Sequence, residues 1–362
     1  MRLTRFQAFA VAVAVVLLAG CGHVIPGSLT GTGKDFAFAK HDCHAGDDTD
    51  ASKVEVRYLG SGGVFIQWQG DAILIGPSFS NHHFLRAGLW RGRDETQRVT
   101  EAVKRFDYQN VRAILAGHSH YDHIGDFPIV AGDGLIPKVP VYVNASGVNI
   151  LAKEEALQGR LRAIRPYEPV TITKHIVVRA IRSGHAPQFC GRDGFPCRYA
   201  FGEIDEPWTT PIARRKLRAM HGGQPYAFDI ELLDANGARR YRIYYNDSSA
   251  SSPLGQTTGD FDLAILTMAQ WRFVRDYPHD LLQTLRPRHV LASHWDNFFS
   301  KGGESSKFVF RLGAPAFLRL VEHYMKQHVK DADAGPVNTV CGVKTDRYTM
   351  AVPGSSLLFS PR

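Results

Sequence analysis

The feature that most constrains this chain is a run of six residues, His118-Ser119-His120-Tyr121-Asp122-His123. It has the pattern H-x-H-x-D-H, with four metal-capable side chains in six positions. Just ahead of it, Val111-Arg112-Ala113-Ile114-Leu115-Ala116-Gly117 reads as a buried strand running out into a loop. A loop at a strand end can aim several side chains at one point. Neutral imidazole is the commonest protein ligand for zinc, and a carboxylate adds charge to hold a second ion. With 16 histidines in the chain, a lone H-x-H would say little. The full pattern after a buried strand is far more specific, and it reads as a site for two metals.

The first twenty residues are expected to lie outside the fold. Arg2 and Arg5 give a positive start, and Ala8 to Ala19 is apolar and uncharged. That stretch falls short of the roughly 20 residues a membrane span needs. It ends in Leu18-Ala19-Gly20-Cys21, which resembles the bacterial lipoprotein signal, with Cys21 as the lipid-bearing residue. Gly22 in place of Asp implies, by enterobacterial sorting rules, the outer membrane facing the periplasm. Residues 21–52 then read as a lipidated tether and lead-in, with little periodicity.

The formal charge is +8, and loss of Arg2 and Arg5 with the leader leaves about +6. It is spread along the chain. Arg214-Arg215-Lys216-Leu217-Arg218 is the densest cluster; it reads as a solvated helix face, with an anionic headgroup or phosphate as the sharper alternative. Nucleic acid is not an expected partner for an exported, tethered protein. Besides Cys21 there are Cys43, Cys190, Cys197 and Cys341. In an oxidising compartment an even number suggests disulfides. The spacing of Cys190 and Cys197 fits a small stapled loop, leaving Cys43 and Cys341, but three pairings are open. No C-x-x-C is present to suggest structural zinc.

Residues 53–362 are long enough for one large αβ domain. Val54–Leu59, Val64–Trp68 and Ala72–Ile75 predict an antiparallel opening. Helices are expected over Glu95–Phe106, from Asp126 to Val130, over Ser146–Gln158 and over Ala314–His328, the last with Phe317, Leu320, Val321 and Tyr324 on one face. Further strands are expected at Val139–Val143, Val170–Thr173, Ile176–Ile181, Leu263–Leu266, His289–Ala292 and near Cys341–Val343 and Arg347–Val352. Ala227–Leu233 and Arg240–Tyr245 predict a hairpin around Asp234-Ala235-Asn236-Gly237. The Gly/Pro/aromatic segment 186–225 reads as an insert that selects substrate or covers the site.

Three more strand ends carry isolated ligand-type residues: His185 after Ile176–Ile181, Asp247 after Tyr241–Tyr245, and His294 after Val290–Ala292. Open αβ sheets place chemistry at such ends. With these in place, roughly Val54 to Val352 resembles the metallo-β-lactamase superfamily. The resemblance implies a four-layer αβ/βα sandwich in the α/β class. It implies that His118, His120 and His185 hold one zinc, that Asp122, His123 and His294 hold a second, and that Asp247 bridges them; Mn²⁺ or Fe are the alternative metals. It further implies a hydroxide between two ions about 3.5–4 Å apart, oriented by Asp122 and Asp247 as catalytic residues.

A bridging Asp is typical of superfamily members that cleave phosphodiesters, thioesters or lactones, whereas class B β-lactamases generally have Cys or Ser near that place. Tyr58-Leu59-Gly60, Gly63-Val64-Phe65-Ile66, Pro77-Ser78-Phe79-Ser80-Asn81 and His294-Trp295-Asp296-Asn297-Phe298 are similar to one branch, which includes N-acylphosphatidylethanolamine phospholipase D and ascorbate-phosphate lactonase relatives. That branch carries an Asp supporting the metal ligands where this chain has Gly76; Asp126 or a nearby Ser is the candidate replacement. The expected activity is a phosphodiesterase on a lipid-like or envelope phosphoester. The alternatives are a lactonase or other ester or amide hydrolase with the same metals, and a non-catalytic metal-binding envelope protein. His82 and His83 are candidate substrate contacts, while His44, His221, His279, His289, His323 and His328 lack strand-end settings.

Overall fold

The computed structural model describes residues 52–81, 95–132, 134–187, 202–250, 257, 259–297, 308–309, 312–329, 337–339, 342–344 and 347–361. The leader, Cys21, all four other cysteines, His44, His82 and His83 lie outside them. Among the described residues, sixteen strands form two eight-stranded sheets. The first contains β1 (Val54–Gly60), β2 (Gly63–Trp68), β3 (Asp71–Ile75), β4 (Val111–Leu115), β5 (Val141–Val143), β6 (Leu161–Ala163), β13 (Val337–Thr339) and β16 (Ser356–Phe359). Its order is β13-β16-β1-β2-β3-β4-β5-β6. The second contains β7 (Pro169–Thr173), β8 (Ile176–Arg182), β9 (Tyr226–Leu233), β10 (Arg239–Asn246), β11 (Leu263–Thr267), β12 (His289–Ser293), β14 (Gly342–Lys344) and β15 (Tyr348–Ala351). Its order is β14-β15-β12-β11-β10-β9-β8-β7.

Both sheets are mixed, for a reason visible in the sequence. Short turns join β1, β2 and β3 as antiparallel neighbours, while longer connections make β3, β4, β5 and β6 parallel. The second sheet repeats this: β7 to β10 are antiparallel and β10, β11, β12 and β15 parallel. The expected hairpin joins β9 to β10, and the Asp234 carboxylate accepts the amides of Asn236 and Ala238 at 2.9 and 3.0 Å.

The central strands β1 to β4 and β9 to β12 are largely buried, which explains their apolar runs. Val56, Tyr58, Val64 and Ile66 of one sheet share a core with Phe228, Ile243 and Tyr245 of the other. On the outer face of the first sheet, Phe65, Leu74 and Ile114 pack beneath α1 (Thr96–Val103), α2 (Tyr121–Ile124), α3 (Phe127–Val130) and α4 (Ala145–Leu151). On the outer face of the second lie α5 (His279–Leu285) and α6 (Ala314–His328). These are the four layers.

Three expectations need correction. The helix expected over Ser146–Gln158 ends at Leu151, and a separate 3₁₀ turn covers Glu155–Leu157. Asn144 caps α4 by accepting the Gly147 amide, and beyond its end Glu154 accepts the Ile212 amide at 2.6 Å. Glu154 itself has extended backbone, which breaks the helical path before the 3₁₀ turn. Leu320 is 46% exposed rather than buried: the α6 stripe runs through Phe317, Leu318, Val321, Tyr324 and Met325, and Leu320 sits about 100° round from its centre. The basic cluster at 214–218 is two 3₁₀ turns rather than a helix face; Arg215 stacks on Trp208 at 5.0 Å and bonds Thr210.

The strands leading to the site, β8 and β10, are tied through β9 by Asp229, which meets Arg242 of β10 and, at 3.5 Å, Arg179 of β8. Asp229 on β9 is 1% exposed. It receives Arg242 of β10 through two hydrogen bonds of 3.0 and 2.8 Å, and that guanidinium lies over Phe261 at 4.0 Å. Removing one partner strands the other charge away from water. Asp229→Ala is expected to lower unfolding stability by about 3–5 kcal/mol in denaturant melts, and the Asp229→Leu/Arg242→Met pair to recover most of that loss.

Candidate metal centre

The seven residues picked out by their strand-end positions converge. β4 ends at Leu115, and the chain crosses through Gly117 to the motif. There His120 has extended backbone, and α2 begins at the next residue. The Ile124 amide closes the first turn onto the His120 carbonyl. That single turn sets Asp122 and His123 side by side. The other three ligands come from the second sheet. Both β8 and β10 run antiparallel to β9, and β12 is parallel to β10 through β11. The three strands therefore end at one edge and present His185, Asp247 and His294 there.

The arrangement has two foci. His118, His120 and His185 each offer a nitrogen, and these atoms lie within 4.8 Å of one another; a carboxylate oxygen of Asp122 and nitrogens of His123 and His294 lie equally close together. Asp247 groups with one residue from each side, His118 and His123. Its Oδ2 is 2.6 Å from His118 Nδ1, and its Oδ1 is 3.2 Å from His123 Nδ1. The second contact is close in charge but too poorly aligned to be a hydrogen bond. His294 Nε2 is 3.5 Å from Asp122 Oδ2.

The donor set fits metal ions. His118 Nε2 is buried and has no hydrogen-bond partner, a costly state for a polar atom that a metal would remove. Burial first, and then His123, hold His118 down at about 3, so its nitrogen is free of a proton at neutral pH. His185 is also held at about 3, by burial and then His120. His123 behaves oppositely: burial pushes it down, but the charges of Asp247 and Asp122 outweigh this and raise it to about 9. Burial raises both carboxylates, yet His123 above all keeps Asp122 and Asp247 below the usual carboxylate range. The cluster thus offers two anionic carboxylates among imidazoles, the chemistry that suits zinc, manganese or iron.

The supporting contacts of several residues escaped the sequence reading. Tyr58 reaches across from β1: its hydroxyl donates to Asp296 and accepts the His294 amide at 3.0 Å. Asp296 also accepts the Ser61 amide. This holds His294 in the left-handed region at φ 50, which few residues other than Gly adopt. Tyr245 lies 2.7 Å from Asp247 Oδ1. Its position two residues before Asp247, on the same face of β10, was the available signal. Asp126, the candidate replacement for the missing acid at Gly76, accepts the amides of Phe79 and Ser80 at 2.6 and 2.7 Å, fixing the loop after β3.

The end of the expected insert also belongs to the centre. The Gly222 carbonyl accepts the Ser119 amide at 3.0 Å and the Asn144 side chain at 2.6 Å, and Ser119 Oγ donates to the His221 carbonyl at 2.6 Å. A Cβ at Gly222 would stand 3.0 Å from His120 Nε2. At Gly117, a Cβ would fall 2.3 Å from the Tyr226 carbonyl and 2.6 Å from Asp247 Cβ. Only glycine lets the two sheets close here. His221 meets the motif only through its carbonyl, and His289 lies elsewhere, paired with Thr349. A cavity of ≈ 370 Å³ opens between the sheets under the β6–β7 connection, with Leu115 and Phe228 in its lining, and none of the seven ligand candidates lines it.

No family model matches the chain, and no curated protein does. Solved structures do. Igni18, a metallo hydrolase from the archaeon Ignicoccus hospitalis, is 13% identical, with a TM-score of 0.46 over 85% of this chain and 98% of that one. The metallo-β-lactamase fold protein YhfI from Bacillus subtilis is 12% identical, with a TM-score of 0.47 over 84% and 99%. Zn²⁺-bound PqqB from Methylobacterium extorquens is 9% identical, with a TM-score of 0.45 over 84% and 99%. These likenesses are distant, and the chain's own two mixed sheets, their outer helices and the ligand-bearing strand ends carry the assignment: this protein has the αβ/βα metallo-β-lactamase fold.

Proposed function

We propose that this chain is a two-metal hydrolase, acting as a phosphodiesterase on a lipid-like or cell-envelope phosphoester. One observation carries the reading: two three-residue ligand clusters stand side by side, and a carboxylate touches a member of each. His118, His120 and His185 would hold one ion, Asp122, His123 and His294 the other, and Asp247 would be shared. Zinc is the first expectation, with manganese or iron as alternatives. Ions in such a pair supply Lewis acidity and a water-derived nucleophile at neutral pH.

The chain's own residues supply the rest. Asp122 and Asp247 remain ionised in the metal-free protein because His123 stands beside both. Asp122, 8% exposed, is the more open of the two carboxylates and the one able to accept a hydrogen bond from an attacking water; Asp247 is 1% exposed. The Tyr58–Asp296 contact fixes His294, and the Gly222 carbonyl fixes the motif loop at Ser119. A geometry fixed before substrate arrives needs no rearrangement at the moment of reaction.

A phosphoester is favoured over a β-lactam because Asp247 fills the shared position with hard oxygen. The resemblance to the phospholipase D branch and the lipoprotein-like Leu18-Ala19-Gly20-Cys21 favour a substrate at the envelope. We place the protein on the outer membrane, facing the periplasm, held by lipid on Cys21. Cys21→Ser should then move it from the membrane to the soluble fraction and abolish labelling by radioactive palmitate; retention on the membrane without label would exclude the anchor.

The decisive assay uses purified protein loaded with zinc or manganese, against bis(p-nitrophenyl) phosphate, phospholipids, lactones, thioesters and β-lactams. Phosphodiester turnover is expected, falling at least about 100-fold in Asp122→Ala, since even partners outside the ligand set cost 10–100-fold in such sites. Cleavage of lactones alone would replace the phosphodiesterase reading with a lactonase, and no bound metal would leave a non-catalytic protein.

Metal uptake has a pH signature. His123 is raised to about 9, so below that pH a metal must displace its proton, while His118 and His185 at about 3 are already neutral. Affinity for the second ion should rise about tenfold per pH unit between pH 6.5 and 8.5 in chelator-buffered titrations. A flat profile would mean that His123 is not protonated in the metal-free protein.

A further inference from the structure

Asp247 touches both ligand clusters, so its orientation sets both. Its Oδ2 is engaged by His118, and Oδ1 faces Tyr245 and His123. The Tyr245 ring cannot drift: it is 0% exposed and stacks on Phe228 at 6.1 Å, with planes 23° apart. Its hydroxyl is 2.7 Å from Asp247 Oδ1 and 3.0 Å from the Gly62 carbonyl. A carboxylate oxygen only accepts, so in the contact with Asp247 the Tyr245 O–H is the donor. The shorter contact, to a charged acceptor, is the stronger.

Opposite lies an opening in the β3 end of the first sheet. Gly76 has φ 54, and a Cβ there would meet His123 Nδ1 at 3.4 Å, the Tyr245 hydroxyl at 3.7 Å and Asp247 Oδ1 at 3.9 Å. Position 76 therefore looks onto the same three polar atoms and offers no side chain to them. His123 Nδ1 is buried and makes no hydrogen bond.

We propose that Tyr245 is a positioning residue of the metal centre: its phenol, at the space Gly76 leaves open, holds Asp247 in the orientation that both ligand clusters share. The inference rests on the two-metal reading of the site. It assigns to a phenol from the second sheet the restraint that a side chain at position 76 would otherwise exert from the first. Outer partners of metal ligands are worth about 10–100-fold in affinity, because they fix ligand direction.

The experiment measures Zn²⁺ affinity by chelator competition, together with the visible spectrum of Co²⁺-loaded protein, for the wild type and three variants. Tyr245→Phe keeps the stacked ring and removes only the hydroxyl. It should weaken uptake by about 10–100-fold and shift the cobalt bands, while the metal-free protein still melts cooperatively. Adding Gly76→Asn should restore at least about tenfold of the loss. Its amide can donate to Asp247 Oδ1, its carbonyl can accept from His123, and Asn tolerates a left-handed backbone. Gly76→Ala in the same background should restore nothing. Wild-type affinity and an unchanged cobalt spectrum in Tyr245→Phe would overturn the proposal, as would equal behaviour of the Asn and Ala double variants. A wild type that takes up no metal would instead bring down the two-metal reading itself, a result visible before any variant is made.

Discussion

Asp247 carries its charge at a point that water barely reaches, 1% exposed. An isolated carboxylate could not stay ionised there. It does so because His118 and His123, from the first sheet, stand at 2.6 and 3.2 Å, and Tyr245 stands at 2.7 Å. The two sheets are also joined beside this contact: Tyr226 donates its amide to the Gly117 carbonyl at 2.8 Å, and a Cβ at Gly117 would meet Asp247. Fold and site thus share one contact. The sheets close because a glycine lets them, and closing brings a second-sheet anion against first-sheet imidazoles. The remaining ligands are arranged around that closure.

Much of this is legible in the sequence, for a physical reason. A ligand that follows a buried strand announces itself twice, by residue type and by the apolar run before it. His118 to His123, His185, Asp247 and His294 all do so. The antiparallel opening, the Asp234–Gly237 hairpin and α6 were equally plain, because turn chemistry and periodicity are local. What escaped was non-local. Tyr58 and Asp296 are 238 residues apart, and either alone reads as an ordinary core or loop residue. β6 and β16 are three and four residues long, too short for alternation to separate them from loop. Helix α4 looked longer because nothing local shows that Glu154 is spoken for by Ile212.

The electrostatics of the centre are cooperative rather than additive. His123 is the pivot: it lowers Asp122 and Asp247, is raised by both, and helps to lower His118. Such coupled groups titrate as a set. Without metal the cluster holds a proton among carboxylates, and cations bound there would give those carboxylates partners of opposite charge. The protein keeps an unfavourable buried constellation ready, and the surrounding hydrogen bonds of Tyr58, Tyr245 and the Gly222 carbonyl keep it from relaxing.

The wiring of residues 221–225 bears on how such a scaffold can diversify. The Gly222 carbonyl and the His221 carbonyl anchor Ser119 inside the motif, and Asn144 Nδ2 bonds the Gly222 and Gln224 carbonyls at 2.6 and 3.0 Å. This stretch is continuous in sequence with the segment before it but mechanically part of the floor of the candidate metal centre. A graft or recombination event that exchanged everything up to Pro225 would replace the floor along with the upstream segment. A breakpoint placed before Met220 would leave the floor intact, but the segment brought in would still have to meet Ser146 and Glu154, which hold the amides of Ile204 and Ile212.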